Sequence, residues 1–171
     1  MNPTIAFKHC LLCGNSLKVE GPRLLICSSC GHHHYINPAP CNGVIIENEQ
    51  GEILLVKRKI DPKKGYWDFP GGFIDPDEDL EQSAKREILE ELNVEIEVKS
   101  IIGTYSDLYV YQGVEIPTIG FVVSARITKG NPTPSDDISS YQYFPKNEVL
   151  NLPLAFKSVK EGLSDYLGSR V

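Results

Sequence analysis

The chain has 171 residues, 41% of them hydrophobic and 23% charged, with a formal net charge of -6. That balance excludes a disordered or fibrous polymer, and the length allows one ordinary domain with its own core plus a small attachment, not two full-sized domains. No apolar run is long enough to cross a bilayer, and the start MNPTIAFKHC lacks the basic-then-apolar layout of a secretory signal, so a cytoplasmic protein without membrane attachment is expected.

Residues 1–40 read as a separate unit. They carry three Lys or Arg against one acid, whereas residues 41–171 carry fourteen against twenty-two. An acidic main domain repels a phosphate backbone, which argues against generic nucleic-acid binding, although acids can hold phosphates through bound cations. Within the first unit, Cys10-Leu11-Leu12-Cys13 and Cys27-Ser28-Ser29-Cys30 form two C-x2-C knuckles thirteen residues apart, each followed by a glycine, Gly14 and Gly31. Four thiolates at this spacing suit tetrahedral Zn²⁺, and a unit with so few apolar side chains needs a staple to fold. Two disulfides or an iron-sulfur site are the alternatives, disfavoured by a reducing compartment and by the paired spacing respectively. A four-cysteine site is closed, so the zinc is expected to be structural. His9, His32, His33 and His34 lie beside the knuckles, where they could substitute as ligands, but read more simply as surface polar residues, and Cys41 as a small core residue.

The segment Asn37-Pro38-Ala39-Pro40 marks the boundary, giving a zinc ribbon over 1–40 and a main domain over 41–171. Cys41 to Ile46 and Ile53 to Val56 are short apolar runs about the turn Glu47 to Gly51, which predicts a hairpin. Gly65 to Pro76 predicts a loop. A helix follows over about Leu80 to Leu92, with Asp79 and Gln82 as a capping box and Asn93 as a left-handed stop. Val94 to Tyr111 and Ile116 to Ile127 predict paired strands turning at Gly113; Tyr141 to Phe144 predicts a shorter strand and Ala155 to Leu167 a final helix. This order of elements suggests a mixed sheet covered by helices.

On the central helix, Glu87, Glu90 and Glu91 fall at i, i+3 and i+4 and share one stripe beside the apolar ridge of Ala84, Ile88 and Leu92, while Glu78 arrives from just before the helix. Like charges at this spacing cost roughly 0.2–0.5 kcal/mol per pair, so a cation should compensate: Arg86 for one carboxylate, and a hard divalent ion for several converging oxygens. Taken alone, the triplet also fits a solvated acidic helix face. The preceding Gly71-Gly72, where a ligand can approach the backbone closely, favours a site.

Gly72, Glu78 and the run Arg86-Glu87-Ile88-Leu89-Glu90-Glu91-Leu92-Asn93-Val94, together with the approach Gly65-Tyr66-Trp67-Asp68-Phe69-Pro70-Gly71, resemble the signature of the Nudix hydrolase family. Asn93 departs from it, standing where the family has Gly, and Asn is the next-best residue for a left-handed cap. The resemblance implies an α+β fold, the Nudix α/β/α sandwich with a mixed sheet. It also implies Mg²⁺ or Mn²⁺ bound by Glu87, Glu90, Glu91 and the Gly72 carbonyl, with Glu78 close by and Arg86 orienting the carboxylates. The general base is Glu90 or Glu91; no substrate-binding residue is assigned. The preceding ribbon and Tyr35-Ile36-Asn37-Pro38 resemble the zinc-ribbon group of this family, which includes NADH pyrophosphatases and ADP-ribose/FAD pyrophosphatases. The Ser-Gln-Pro-Trp-Pro-Phe-Pro-Gln-Ser stretch of the NADH enzymes is absent, which ranks NADH lower.

The expected function is therefore Mg-dependent hydrolysis of a nucleoside-diphosphate linkage in ADP-ribose, FAD or a related dinucleotide, with a small nucleotide as partner and a homodimer implied by the family alone. The alternatives are a nucleotide-sensing regulator that uses the ribbon for partner contact, and an NTP or NADH pyrophosphohydrolase.

Overall fold

Alternate residues of two consecutive strands point into two different cores, and this property organises the main domain. In the computed structural model, which describes residues 6–168, the contacts divide the chain into two units: Met1–Ala39 with Leu108–Thr118, and Pro40–Asp107 with Ile119–Val171.

In the first unit, strands β1 (Leu17–Val19), β2 (Leu24–Cys27) and β3 (His33–Tyr35) form an antiparallel sheet, with Leu17 opposite Cys27 and Leu24 opposite Tyr35. Among the described residues, its buried apolar members are Leu25 and two of the cysteines, Cys10 and Cys27. So small a core is insufficient for a unit of this size without a cross-link. The hairpin tip carries Gln112 and Gly113, both at positive φ (47° and 80°), as a two-residue primed turn requires.

The second unit holds β4 (Ala39–Ile46), β5 (Ile53–Arg58), β6 (Trp67–Asp68), helix α1 (Leu80–Leu92), the long strands β7 (Glu95–Tyr111) and β8 (Val114–Lys129), β9 (Ile138–Phe144), a single 3₁₀ turn (Val149–Asn151) and helix α2 (Lys157–Tyr166). Of β7 and β8, the ends within Leu108–Thr118 belong to the first unit. Two three-stranded sheets form, in the orders β4-β8-β7 and β6-β5-β9. Val44, Ile46, Leu54 and Val56 pack with Ala84, Ile88 and Leu92 of α1. Ile45, Ile53 and Leu55 pack with Val159 and Leu163 of α2. With side chains alternating across a strand, these two clusters place strands between two helices, the α+β sandwich expected.

Helix α1 begins and ends as predicted: Asp79 accepts from the Gln82 amide, Gln82 returns the contact to the Asp79 amide, and Asn93 closes the helix at φ 55° and ψ 38°. Helix α2 begins later than predicted, because Phe156 is still extended and the Ala155 amide donates to the Trp67 carbonyl instead of entering a helix.

The predicted hairpin of β4 and β5 is corrected. The chain does reverse at Glu47 to Gly51, but β4 and β5 belong to different sheets and meet at the isolated bridge Glu47↔Ile53. A turn signal records a reversal and not a pairing, and strands buried on both faces carry no alternation that would reveal their neighbours. The predicted loop Gly65 to Pro76 contains β6, paired to β5 through Val56↔Asp68 and Lys57↔Trp67, too short for any periodicity to show. Among the described residues, no helix is long and apolar enough to cross a membrane.

Candidate catalytic and metal sites

The loop after β6 lies alongside β4 as an irregular extra strand. Val44 donates to the Pro70 carbonyl at 2.9 Å, Asn42 to the Gly72 carbonyl at 2.8 Å, and Ile74 to the Pro40 carbonyl at 3.1 Å. On its other side this loop faces helix α1. The Gly71 amide donates to Glu91 Oε2 at 2.9 Å, and Arg86 donates to the Phe73 carbonyl at 3.1 Å. A Cβ on Gly72 would sit 2.6 Å from Glu87 Oε1, so any side chain here would displace that carboxylate. At Gly71 both backbone and space demand glycine: φ is 134°, and a Cβ would sit 2.6 Å from the Asn42 carbonyl oxygen.

Arg86 gathers three of the predicted carboxylates. It grips Glu78 bidentately, Nε to Oε1 at 2.6 Å and Nη2 to Oε2 at 2.8 Å, and its Nη1 reaches Glu87 Oε1 at 2.8 Å and Glu90 Oε2 at 3.1 Å. This guanidinium holds the Glu78 carboxyl down at about 2 and is itself pushed up, chiefly by its bond to Glu78. Glu87 moves the other way, because burial outweighs its contact with Arg86. Glu90 is half exposed.

Glu91 is the buried member, 6% exposed. Burial pushes its carboxyl up to about 9 against the lowering effect of the Gly71 amide, with the charges of Asp137, Glu87 and Asp68 adding to the rise. Two groups that sequence reasoning passed over stand beside it. Asp68 of β6 is raised to about 6 by burial despite its 3.0 Å ion pair with Arg58. Asp137, at the end of the loop before β9, raises Asp68, Glu87 and Glu91 alike.

A cavity is lined by Arg58, Asp68, Gly71, Gly72, Arg86, Glu87, Glu91, Asp136 and Asp137. Glu78 and Glu90 are not among its lining residues and join it through their contacts with Arg86. Asp68 falls inside the glycine-rich stretch already singled out, so it was within reach of the sequence. Asp136 and Asp137 carry no spacing signal, because their distance from the helix glutamates depends on the intervening β7–β8 hairpin. Ionising these buried carboxyls takes more compensation than the Gly71 amide and the guanidinia of Arg58 and Arg86 supply, and a divalent cation with oxygen ligands fits that deficit.

In the first unit, the four predicted thiols come together. Cys13 Sγ lies 3.5 Å from both Cys27 and Cys30 Sγ, and Cys10 Sγ lies 3.7 Å from Cys30 Sγ. Thiolates at about 2.3 Å around one Zn²⁺ lie about 3.8 Å apart in a tetrahedron, so this cage fits zinc with little adjustment. All five cysteines are free thiols. Both knuckles close alike: the Gly14 amide donates to the Cys10 carbonyl and the Gly31 amide to the Cys27 carbonyl, each glycine at φ 72°. The Asn15 amides bring the Cys13 thiol down to about 6. Cys30, although the His32 amide lowers it, is pushed up to about 12 by the Cys27 and Cys13 thiols. Such mutual opposition among four thiols is relieved by a central cation. Among the described residues, these are the one set of three or more His, Cys, Asp or Glu ligand atoms lying within 4.8 Å of one another. The helix glutamates do not close so tightly, because Arg86 stands between them.

Two peripheral expectations change. His34 is not simply a surface residue: it is half-buried, its Nε2 lies 3.3 Å from Cys10 Sγ, and its ring stacks edge-on against His32. Cys41 is half-buried, not fully in the core, and burial pushes its thiol up to about 11, away from nucleophilic use.

The chain resembles known proteins over most of its length. The model of the NUDIX domain matches residues 38–166. An ADP-ribose pyrophosphatase of Methanocaldococcus jannaschii is 36% identical over 134 residues, covering 78% of this chain and 75% of that protein. The NAD-capped RNA hydrolase NudC of Stutzerimonas stutzeri is 26% identical over 169 residues; the match takes in 96% of this chain but only 57% of NudC, so the chain spans little more than half of that relative. A crystal structure of a NUDIX hydrolase from Nitrosomonas europaea superposes with a TM-score of 0.78 at 32% identity, over 96% of this chain and 92% of that one.

Proposed function

Since the chain belongs to the Nudix hydrolase family, we propose that it hydrolyses the diphosphate linkage of ADP-ribose or a related dinucleotide, yielding a nucleoside monophosphate and the other phosphorylated half. The observation that carries this reading is the buried Glu91 carboxylate, held by Gly71 among Glu87, Asp68 and Asp137 in an open cavity. ADP-ribose is favoured as substrate because the 36% identical relative from Methanocaldococcus jannaschii is an ADP-ribose pyrophosphatase.

On this reading Glu87, Glu91 and the Gly72 carbonyl hold Mg²⁺ or Mn²⁺, with Asp68 and Asp137 as further acidic support and Glu78 acting through Arg86. The Gly72 carbonyl has a second lone pair beyond the one engaged by the Asn42 amide. A divalent ion supplies charge neutralisation of the diphosphate and activation of water. Arg86 keeps Glu87 and Glu90 in fixed orientation. Glu90, half exposed, is the glutamate open to solvent and suited to accept the proton of an attacking water, whereas Glu91 is suited to hold a cation. Arg58, with Nη1 on Asp68 and its Nε on the Pro62 carbonyl, presents a fixed cation to the same cavity, where a substrate phosphate would be drawn. In the segment 1–40, Cys10, Cys13, Cys27 and Cys30 hold a structural Zn²⁺.

The test is hydrolysis with Mg²⁺ or Mn²⁺ of ADP-ribose, FAD, NADH, diadenosine polyphosphates and nucleoside triphosphates, beside a Glu90→Gln/Glu91→Gln double variant. Cleavage of one substrate that the variant loses is the expected result. Absence of cleavage across the panel would move the nucleotide-sensing reading ahead.

A further inference from the structure

Asn42 on β4 is 7% exposed and engages the catalytic loop and the acidic helix at once. Its amide N–H donates to the Gly72 carbonyl at 2.8 Å. Its Nδ2 donates to Ser83 Oγ at 2.9 Å, and Ser83 is a fully buried hydroxyl on α1. A Cβ on Gly71 would lie 2.6 Å from the Asn42 carbonyl oxygen and 2.7 Å from its Oδ1, so one Gly71 Cα–H is aimed at both oxygens. Oδ1 is, among the described residues, a buried side-chain oxygen without an N–H or O–H partner. Leaving it so costs stability, and an apolar residue of similar size would avoid that cost. The two contacts that Asn42 makes in return, to Gly72 and to Ser83, point to a role in position.

We infer that Asn42 is a positioning residue that clamps the Gly71–Gly72 peptide between strand β4 and helix α1, fixing where the Gly71 amide meets Glu91 and where Gly72 lies against Glu87. The inference rests on the proposed role of this site. Ser83 is the helix anchor of the clamp: its Oγ also lies 3.4 Å from the Phe73 carbonyl and from Arg86 Nη2. Aspartate at this position would draw the Ser83 hydroxyl away from the Phe73 carbonyl, since it can only accept when ionised, and would add a charge to a cluster already rich in carboxylates.

The experiment compares the full-length protein with Asn42→Ala, Ser83→Ala and Glu91→Gln. Three quantities are read at fixed pH: the ¹H–¹⁵N signal of the Gly71 amide without metal, Mn²⁺ affinity by electron paramagnetic resonance, and kcat and KM on the cleaved substrate. In Asn42→Ala the Gly71 amide should move upfield as its hydrogen bond loosens, Mn²⁺ should bind more weakly, and kcat should fall by up to about 10²-fold with KM little changed. Ser83→Ala should do the same to a smaller extent. The Asn42→Ala and Glu91→Gln effects should be less than additive in the double variant, because both act through one contact. A melting temperature that drops while the Gly71 signal and kcat per folded molecule stay unchanged overturns the inference. If Asn42→Ala does not fold, Ser83→Ala with an unmoved Gly71 signal does so equally. Retained activity in Glu91→Gln would instead overturn the proposed role of the site, while the Gly71 signal still decides whether Asn42 positions the loop.

Discussion

The Gly71 amide and Glu91 Oε2 meet at 2.9 Å, joining the glycine loop to the acidic helix across twenty positions of sequence. This contact holds a carboxylate that the protein otherwise surrounds with apolar side chains and other acids, and several measurable consequences stem from that conflict.

Without divalent metal, stability should fall as pH rises. The Glu91 carboxyl goes from 4.5 to about 9 on folding. A raised carboxyl keeps its proton longer in the native state, so its stabilising contribution is complete below about 4.5 and is lost as pH climbs through about 9. Asp68, raised from 3.8 to about 6, adds the same sign over a lower window. Chemical denaturation in chelator at pH 5, 7 and 9 should show the decline. Glu91→Gln should flatten it, and a slope unchanged by that variant would refute the attribution.

Metal binding at neutral pH should release protons, since a cation favours the ionised form of Glu91. Calorimetric titration of Mn²⁺ in buffers of different ionisation enthalpy measures the release. Glu91→Gln should reduce it, and equal heats in all buffers would count against Glu91 as a ligand.

Gly72→Ala should fold and lose activity. The new Cβ would meet Glu87 Oε1 at 2.6 Å and push that carboxylate aside, while the backbone angle at Gly72 is one alanine can adopt. A displacement of this kind costs roughly 10²-fold in kcat. Near-normal kcat in a folded variant would show that Glu87 has room to give.

Arg86→Lys should not behave as a conservative change. Lysine cannot reproduce the bidentate grip on Glu78 together with the contacts to Glu87 and Glu90. Loss of these charge-assisted bonds frees the carboxylates from their fixed orientation, so a melting shift and a fall in kcat are both expected.

Each chain should carry one tightly held zinc. Mercurial titration with a colorimetric chelator should release one Zn²⁺ per chain, and Cys13→Ser should lose it and expose the ribbon to proteolysis. Zinc content unaffected by Cys13→Ser would rule out the four-thiol site.

How much of this was legible beforehand depended on how local each cause is. The helix Leu80–Leu92 was readable to its ends because the Asp79 box and the Asn93 cap are made by residues within one turn. The cysteine knuckles were readable because two-residue spacing closes a turn onto itself. Phe156, by contrast, looked helical and is extended, since the Ala155 amide finds its partner in distant Trp67.

The sequence by itself determined the acidic helix, its glycine approach and the four-thiol pattern, all of which rest on short-range spacing. Only the tertiary structure decided that β4 and β5 part into different sheets, that Glu91 is buried while Glu90 faces solvent, and that Asp68 and Asp137 stand beside Glu91. The reason is that burial and charge proximity depend on which surfaces the strands bring together, and residues 46 positions apart, such as Glu91 and Asp137, carry no mark of that encounter in their order along the chain.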